Sequence, residues 1–495
     1  MTDTSRLEGR STAAYVLRLV PLILLTEVVA LELALVYPAL QHMAGEFRTP
    51  SIGWTLTVVS LVGVVAQPLL GKVADGHGKK RVIVCAAGAF AVGSLVCALA
   101  PNFPVLLAGR AVQGVAMVIA PAAYGLIRDV FPVRLVPVAM GAITTGIGLS
   151  VIVGPVVGGV LTQAFGFRAI FWFCLLYAVV LTPLVVATFP ESGVRLRRRV
   201  DVAGGLLFGC GAAGVLLAVG QGGRWGWGSA RLIAVAVGAC VLLVLFVVCE
   251  LRAAYPLIDL RLLAGSGLRW TLLAAFGGSV AIGGQALTLP QLVQTPKDTG
   301  FGLGMAPLGV AIFLVPQGLL SAVSGPLGGL LARRHAPRTG LVIALGCLAA
   351  GAALLSVLHT EVWHILLAAL FAGVGFGFFF VSVSNLVVEA VPATHTGVGA
   401  GMMGVANNLG NATGVTVLGA VLAQHVLDGS VAGDKILYAE SGYVFAFLVA
   451  AGAAALALLV AALMRHGRAP ATGGVGAAPP DAPVRDLNSP LEKDG

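Results

Sequence analysis

Along most of the chain, long apolar runs alternate with short segments that hold charge, Pro or Gly. A helix needs about 20 apolar residues to cross a bilayer core, because every backbone N–H and C=O must be paired within its own segment. The breaks predict fourteen spans, near residues 19–41, 53–71, 82–101, 104–127, 135–163, 167–189, 202–220, 231–250, 269–292, 304–327, 338–358, 362–387, 396–425 and 441–464. From Arg465 to Gly495 the pattern dissolves into Ala, Pro and Gly with scattered charge, the composition of a disordered tail.

Composition agrees with that reading. Only 10% of the 495 residues are charged and 58% are apolar, whereas a soluble domain is about 25% charged. An ordinary soluble enzyme is excluded, and the eight histidines are too scattered to form a catalytic cluster at one membrane face. The first apolar run follows a polar stretch containing Asp3 and Glu8 and has no small-residue cleavage site, so it reads as an anchor and not as a removed signal peptide. All seven cysteines lie in or at the edge of apolar runs without C-x-x-C spacing, so neither a disulfide nor a metal cluster is expected.

The net charge of +9 is a matter of topology, not of nucleic-acid binding. Most Lys and Arg fall on the side of the termini, in groups such as Lys72, Lys79, Lys80 and Arg81, or Arg195, Arg197, Arg198 and Arg199. Arg48, Arg168, Arg224, Arg231, Lys297 and Lys435 fall on the other side, and Arg110 lies within a span. The positive-inside rule therefore predicts a multi-pass protein of the cell membrane with both termini cytoplasmic.

The chain also repeats itself. Pro68-Leu69-Leu70-Gly71-Lys72-Val73-Ala74-Asp75-Gly76-His77 is echoed by Pro326-Leu327-Gly328-Gly329-Leu330-Leu331-Ala332-Arg333-Arg334-His335, and Phe131-Pro132 by Val391-Pro392. Parallel halves related by an axis along the membrane normal are a transporter architecture, with substrate bound between them near the midplane. The resulting organisation is an N-terminal segment over 1–18, a six-helix bundle over 19–189, two inserted helices over 202–250, a second six-helix bundle over 269–464 and the tail over 465–495.

Three stretches carry specific chemistry. In the loop Gly71 to Arg81, Gly71 and Gly78 permit a tight turn, Asp75 can accept from exposed N–H groups at a helix start, and Lys79, Lys80 and Arg81 hold the loop in the cytoplasm. Arg110-Ala111-Val112-Gln113-Gly114 puts a cation inside the fourth span, at a cost of about 2.5–3.5 kcal/mol on insertion scales, so Arg110 must face the interior or snorkel to the interface. In Gly154-Pro155-Val156-Val157-Gly158-Gly159, Gly154 and Gly158 form a G-x-x-x-G face for close helix approach and Pro155 interrupts the hydrogen-bond ladder.

Together these stretches resemble the major facilitator superfamily. The first resembles its signature loop G-x-L-A-D-R-x-G-R-K-R, with Gly76 in place of the usual Arg. The second resembles R-x-x-Q-G, and the third G-P-x-x-G-G, which in that superfamily marks antiporters; Ser150 stands where the motif usually begins with Gly. Phe246 and Glu250, Pro256 to Leu260, and the glycines Gly397, Gly401, Gly410 and Gly414 are similar to the fourteen-span drug:proton antiporters. The resemblance spans nearly all of 16–464 and implies an all-α polytopic protein with the major facilitator fold, two six-helix bundles plus two inserted helices. It implies a monomeric carrier, without cofactor, that exports small amphipathic or hydrophobic compounds such as antibiotics in exchange for protons. It also implies that Asp75 ties the two halves together in one access state, with Arg128 or Arg134 as its partner. A proton-linked importer of a metabolite on the same fold is the alternative within transport, and a non-transporting membrane sensor the alternative outside it.

Glu27 and Glu32 are the only acids well inside a span. A carboxyl there is costly to keep charged and is a natural proton carrier. On one helix the two are ~140° apart in azimuth and ~7.5 Å apart along the axis, so they do not share a face. Glu32, the deeper, is the first candidate for proton coupling and Glu27 the second; the alternative for Glu32 is a structural acid, permanently protonated or paired with Arg110. In the later spans Gln285, Gln291, Gln294, Gln317, Asn385, Asn407, Asn408 and Asn411 are candidates to line the cavity, Asn407 and Asn411 being one turn apart. Gly399-Ala400-Gly401-Met402-Met403-Gly404 fits G-x-G-x-x-G but lies in an apolar helix with no preceding strand, and no P-loop sequence occurs, so no nucleotide site is expected.

Overall fold

The computed structural model describes residues 12–131, 136–193, 201–253, 263, 265–391, 396–431 and 436–470, with backbone only for 12–18, 136–148, 151, 266, 396–398 and 428–431. The first pass comes in three pieces, α1 (Thr12–Thr26), α2 (Val28–Val36) and α3 (Leu40–Glu46), with Glu27 at one joint and a 3-10 turn at Tyr37–Ala39 at the other. Pro38 accounts for the second joint, since it has no N–H for the ladder. The next passes are α4 (Trp54–His77), α5 (Lys79–Ala98), α6 (Phe103–Gly114) continued through a 3-10 turn into α7 (Ile119–Val130), α8 (Val136–Phe165) and α9 (Arg168–Thr188). Then come α10 (Val202–Trp225), α11 (Ala230–Arg252), α12 (Ser266–Gln294), α13 (Ala311–Arg334), α14 (Pro337–Val357), α15 (Val362–Ala390), α16 (Thr396–Gln424) and α17 (Glu440–Leu463).

Twelve of these passes are long and apolar enough to cross a membrane among the described residues. The other two are α8, 30 residues long, whose fully described part Ile152–Phe165 is apolar, and α16, 29 residues long but diluted by Asn407, Asn408, Asn411, Thr413 and Thr416. The helices overrun several expected spans. Helix α4 continues to His77 and α1 begins at Thr12, so the expected N-terminal segment is shorter than 1–18; residues 1–11 and 471–495 lie outside the described residues.

One apolar core joins α1 to α9 around Leu22, Leu35, Phe90, Ile119, Phe167 and Phe171. A second joins α12, α14, α15 and α17 around Leu341, Leu345, Phe379, Leu386 and Ala457. Helix α11 stays exposed along most of its length, and its mean hydropathy of 3.2 suits it to lipid. A two-stranded antiparallel hairpin, β1 (Val426–Val431) and β2 (Ile436–Tyr438), connects α16 to α17 where no regular structure was expected.

Candidate functional site

The first half contains a buried polar chain. Arg110 on α6 and Glu32 on α2 are both fully buried and form an ion pair through Arg110 Nη1 and Glu32 Oε1. Arg110 Nε donates to the Thr55 carbonyl at 2.8 Å and Nη1 also donates to Gln113 Oε1 at 3.0 Å. Gln113 Nε2 in turn donates to Ser94 Oγ at 2.9 Å, and the Ser94 hydroxyl to the Phe90 carbonyl at 2.8 Å. Arg110 Nη2 and Glu32 Oε2 have no hydrogen-bond partner among the described residues. Arg110 therefore faces the interior and does not snorkel, and Gly114 beside it packs on Val59 and Val62 of α4.

Glu27 looks elsewhere, as the helical azimuth requires. It is 3% exposed, accepts from Thr26 Oγ1 at 3.4 Å and has the Ser150 side chain beside it, while its Oε2 is unpaired among the described residues. Both neighbours are neutral hydroxyls, so among the described residues Glu27 is buried without a cation whereas Glu32 has one.

Helix α8 is built onto the segment that carries these acids. A Cβ at Gly154 would collide with Ala34, and one at Gly158 would lie 2.8 Å from the Cα of Leu35. The adjacent Gly159 faces the second half, where a Cβ would lie 2.6 Å from the Cα of Leu308, just ahead of α13. The three glycines thus let one helix touch both the acid-bearing α2 and the opposite bundle with little more than backbone between them.

The signature stretch is not the loop that was expected. Gly71 and Asp75 are inside α4, and the whole turn is Gly78, whose φ of +117° and contact with the Glu191 carboxylate leave no room for a side chain. Of the two expected partners of Asp75, Arg128 is exposed and forms no ion pair among the described residues, and Arg134 lies outside the described residues. Asp75 sits 3.4 Å from Lys79, which also pairs with Asp129 of α7 at 2.7 Å, and Asp129 accepts from Ser192. The acceptor at the start of α5 is Glu191, taking the N–H groups of Lys80 and Arg81 at 2.9 and 3.0 Å, while Lys80 Nζ donates to the Val186 and Phe189 carbonyls. These bonds all lie within the first half.

Polar contacts between the halves run from the end opposite the termini to just past the middle of α4 and α16. Thr57 and Thr416 hydroxyls are 3.1 Å apart, Ser60 donates to Asn411 at 3.4 Å, Asn408 donates to Gln67 at 3.1 Å, and Tyr438 of β2 donates to the Pro50 carbonyl at 3.3 Å. Of the polar candidates in the second half, Asn408 and Asn411 thus cross the seam, whereas Asn407 accepts from Ser279 within its own half at 3.2 Å. Gln285 and Gln291 are buried, Gln294 donates to the Pro290 carbonyl, Asn385 to the Val381 carbonyl, and Gln317 Oε1 has no partner among the described residues. Helix α10 lies along the same seam, with Gly205 and Gly209 on Leu69 and Val65 of α4 and Gly220 between Trp54 and Thr416.

The family model described as Major Facilitator Superfamily matches residues 22–415 and 271–492. The chain belongs to the Major Facilitator Superfamily. It is 27% identical over 398 residues to multidrug resistance protein Stp of Mycobacterium tuberculosis, covering 79% of this chain and 73% of that one. To the tetracenomycin C resistance and export protein of Streptomyces glaucescens it is 27% identical over 395 residues, covering 78% and 71%. Among solved structures, a bacterial homologue of the human lysosomal transporter Spinster, inward-facing and unoccupied, superposes with a TM-score of 0.65 at 14% identity over 92% of this chain and 98% of that one. A D-xylose–proton symporter superposes with a TM-score of 0.62 at 14% identity, over 93% and 99%. The family match makes the chain a superfamily transporter, and the solved structures share its fold.

Within this superfamily fold, Glu32 and Arg110, both singled out in the sequence, meet, and the α8 glycines pack on α2, whereas Lys79 as a bridging cation and Asp129, Glu191, Ser192, Ser60 and Gln67 were not singled out. Polar residues on α4 and acids at the ends of α7 and α9 are visible in the sequence, but nothing in their spacing announces which distant helix they meet.

Proposed function

We propose that this superfamily transporter is a proton-coupled exporter of small amphipathic or hydrophobic compounds, working by alternating access in the cell membrane with both termini cytoplasmic. The single observation that carries the reading is the fully buried Arg110–Glu32 pair, whose acid stands on the same helix α2 that packs through Ala34 and Leu35 on the Gly154–Gly158 face of α8. A proton on Glu32 removes the charge that balances Arg110, and an unbalanced buried cation costs several kcal/mol. The guanidinium then depends on Thr55 and Gln113, α2 is released from α6, and α8 carries that movement to the second half at Leu308. Glu27, held by hydroxyls alone, is the second carboxyl on the proton route.

In this scheme the polar seam closes the side opposite the termini, so the conformation takes substrate from the cytoplasm. Substrate and proton are bound alternately, each weakening the other through the same pair, which is the reciprocal linkage antiport requires. One proton moved inward per cycle supplies about 2.3 kcal/mol per 100 mV, and no cofactor is needed. Export is supported by the names of the relatives, one a multidrug resistance protein and one a resistance and export protein. The test is a toxicity panel of amphipathic antibiotics and dyes in a pump-deficient host. Wild type raises tolerance to several compounds and Glu32→Gln to none, whereas equal tolerance with both would overturn the coupling assignment.

A further inference from the structure

The pass that carries Arg110 is interrupted just beyond it. Helix α6 ends at Gly114, Val115–Val118 form a 3-10 turn, and α7 resumes at Ile119. Pro121 accounts for the break, because it has no N–H to give to the Met117 carbonyl four residues back. A 3-10 stretch inside a helix is a recurrent hinge position.

Helix α4 is fitted to this break. The Met117 side chain fills the space over Gly63, and Gly114 lies against Val59 and Val62, so the two helices touch closely on both sides of the turn. One helical turn beyond Gly63, Gln67 Nε2 donates to the Met117 carbonyl at 3.2 Å and supplies the donor that Pro121 lacks. The other end of the same amide faces the second half, where Gln67 Oε1 accepts from Asn408 Nδ2 at 3.1 Å. Gly404, one turn before Asn408 on α16, makes the room, since a Cβ there would lie 2.8 Å from Gln67 Oε1. The orientation of the amide is fixed by chemistry: the Met117 carbonyl can only accept, so it holds the NH2 group and leaves Oε1 to be met by a donor, which Asn408 provides. Of the seam contacts described above, this one lies farthest from the outer end of α4.

We propose that Gln67 is a positioning residue that couples the bend between α6 and α7 to the seam between the halves. With the break docked on α4, the amide is held against Asn408 and the seam stays closed. When α6 shifts on α4, the Met117 carbonyl leaves the amide, Gln67 turns away from Asn408, and the seam opens from its inner end. The proposal rests on the alternating-access part of the reading above, and not on proton coupling or on export.

Double electron–electron resonance tests this on the full-length protein in lipid nanodiscs, stripped of its native cysteines and carrying spin labels at Leu99→Cys and Val357→Cys. These residues are 63% and 76% exposed at the side opposite the termini, Leu99 just after α5 and Val357 at the end of α14, one in each half. Wild type is expected to show a shorter, seam-closed distance and a longer, seam-open one. Gln67→Met, which nearly keeps the volume and removes both hydrogen bonds, should raise the long-to-short ratio about threefold or more, the scale of one net hydrogen bond. Asn408→Leu should raise it likewise. Pro121→Ala, which gives the Met117 carbonyl an intrahelical N–H, should raise the ratio on its own and add nothing to Gln67→Met. Gln294→Met, which replaces a buried glutamine that donates to the Pro290 carbonyl of its own helix, should leave the ratio unchanged. An unchanged ratio in either Gln67→Met or Asn408→Leu, or effects of Pro121→Ala and Gln67→Met that add, would overturn the proposal and leave alternating access standing. One distance in wild type, with no second population in any variant, would overturn both.

Discussion

The Arg110 guanidinium meets the Glu32 carboxylate at a point where neither side chain is exposed. Two charges removed from water in this way are held by one another and by the carbonyl of Thr55 and the amide of Gln113. Removing either partner strands the other.

Glu32→Gln is therefore expected to destabilise the protein by about 3–5 kcal/mol, the range for breaking a buried pair from one side. The double variant Glu32→Gln/Arg110→Gln should recover much of that loss without recovering transport. Thermal unfolding in detergent, read as a double-mutant cycle, checks the first point and vesicle flux the second. Additive losses would show that the pair is not a unit.

Glu27→Gln should behave differently, because among the described residues Glu27 has no cation to strand. Its melting temperature is expected within a few degrees of wild type, while the number of protons released per substrate bound falls. Proton release in weakly buffered detergent solution measures this, and an unchanged stoichiometry argues that Glu32 alone carries the coupling proton.

A third expectation concerns α8. At Gly158 the backbone of Leu35 stands where a methyl group would go, so Gly158→Ala should cost about 1–3 kcal/mol and slow transport. Gly346→Ala is the control, since a Cβ there meets nothing within 4 Å and alanine is the better helix former. Comparing the two melting temperatures separates close packing from a general intolerance of glycine replacement.

Lys79 bridges Asp75 and Asp129 at the end that bears the termini. Lys79→Gln leaves both acids without their cation and should loosen α4 and α5 from α7, shifting the balance of access states. Cysteine labelling at Thr57→Cys, on a background stripped of the native cysteines, reports the seam on the other side. An increased labelling rate is the expected outcome, and an unchanged rate would confine Lys79 to local stability.

The helices were legible because about 20 apolar residues in a row have few alternatives to spanning a membrane. Arg110 and Glu32 were legible because charge inside such a run is rare and must find a partner. The role of Lys79 was not, because its second acid, Asp129, lies on α7, and only the packing of α4, α5 and α7 brings the three together. Gly71 misled for a related reason. It reads as a turn residue, yet the helix runs through it to His77 and leaves Gly78, with its positive φ, to make the turn alone. The β1–β2 hairpin escaped notice because its strands are short, and Tyr438, which ties it to Pro50, is marked by no local pattern.

The account rests most directly on whether Glu32 exchanges a proton when substrate is transported. Everted membrane vesicles, energised to an acidic interior and loaded with a pH-reporting dye, measure this when a compound identified in the toxicity panel is added outside. Wild type should discharge the proton gradient on addition, and Glu32→Gln, present at equal amount, should not. Equal discharge by the two proteins would contradict the central claim.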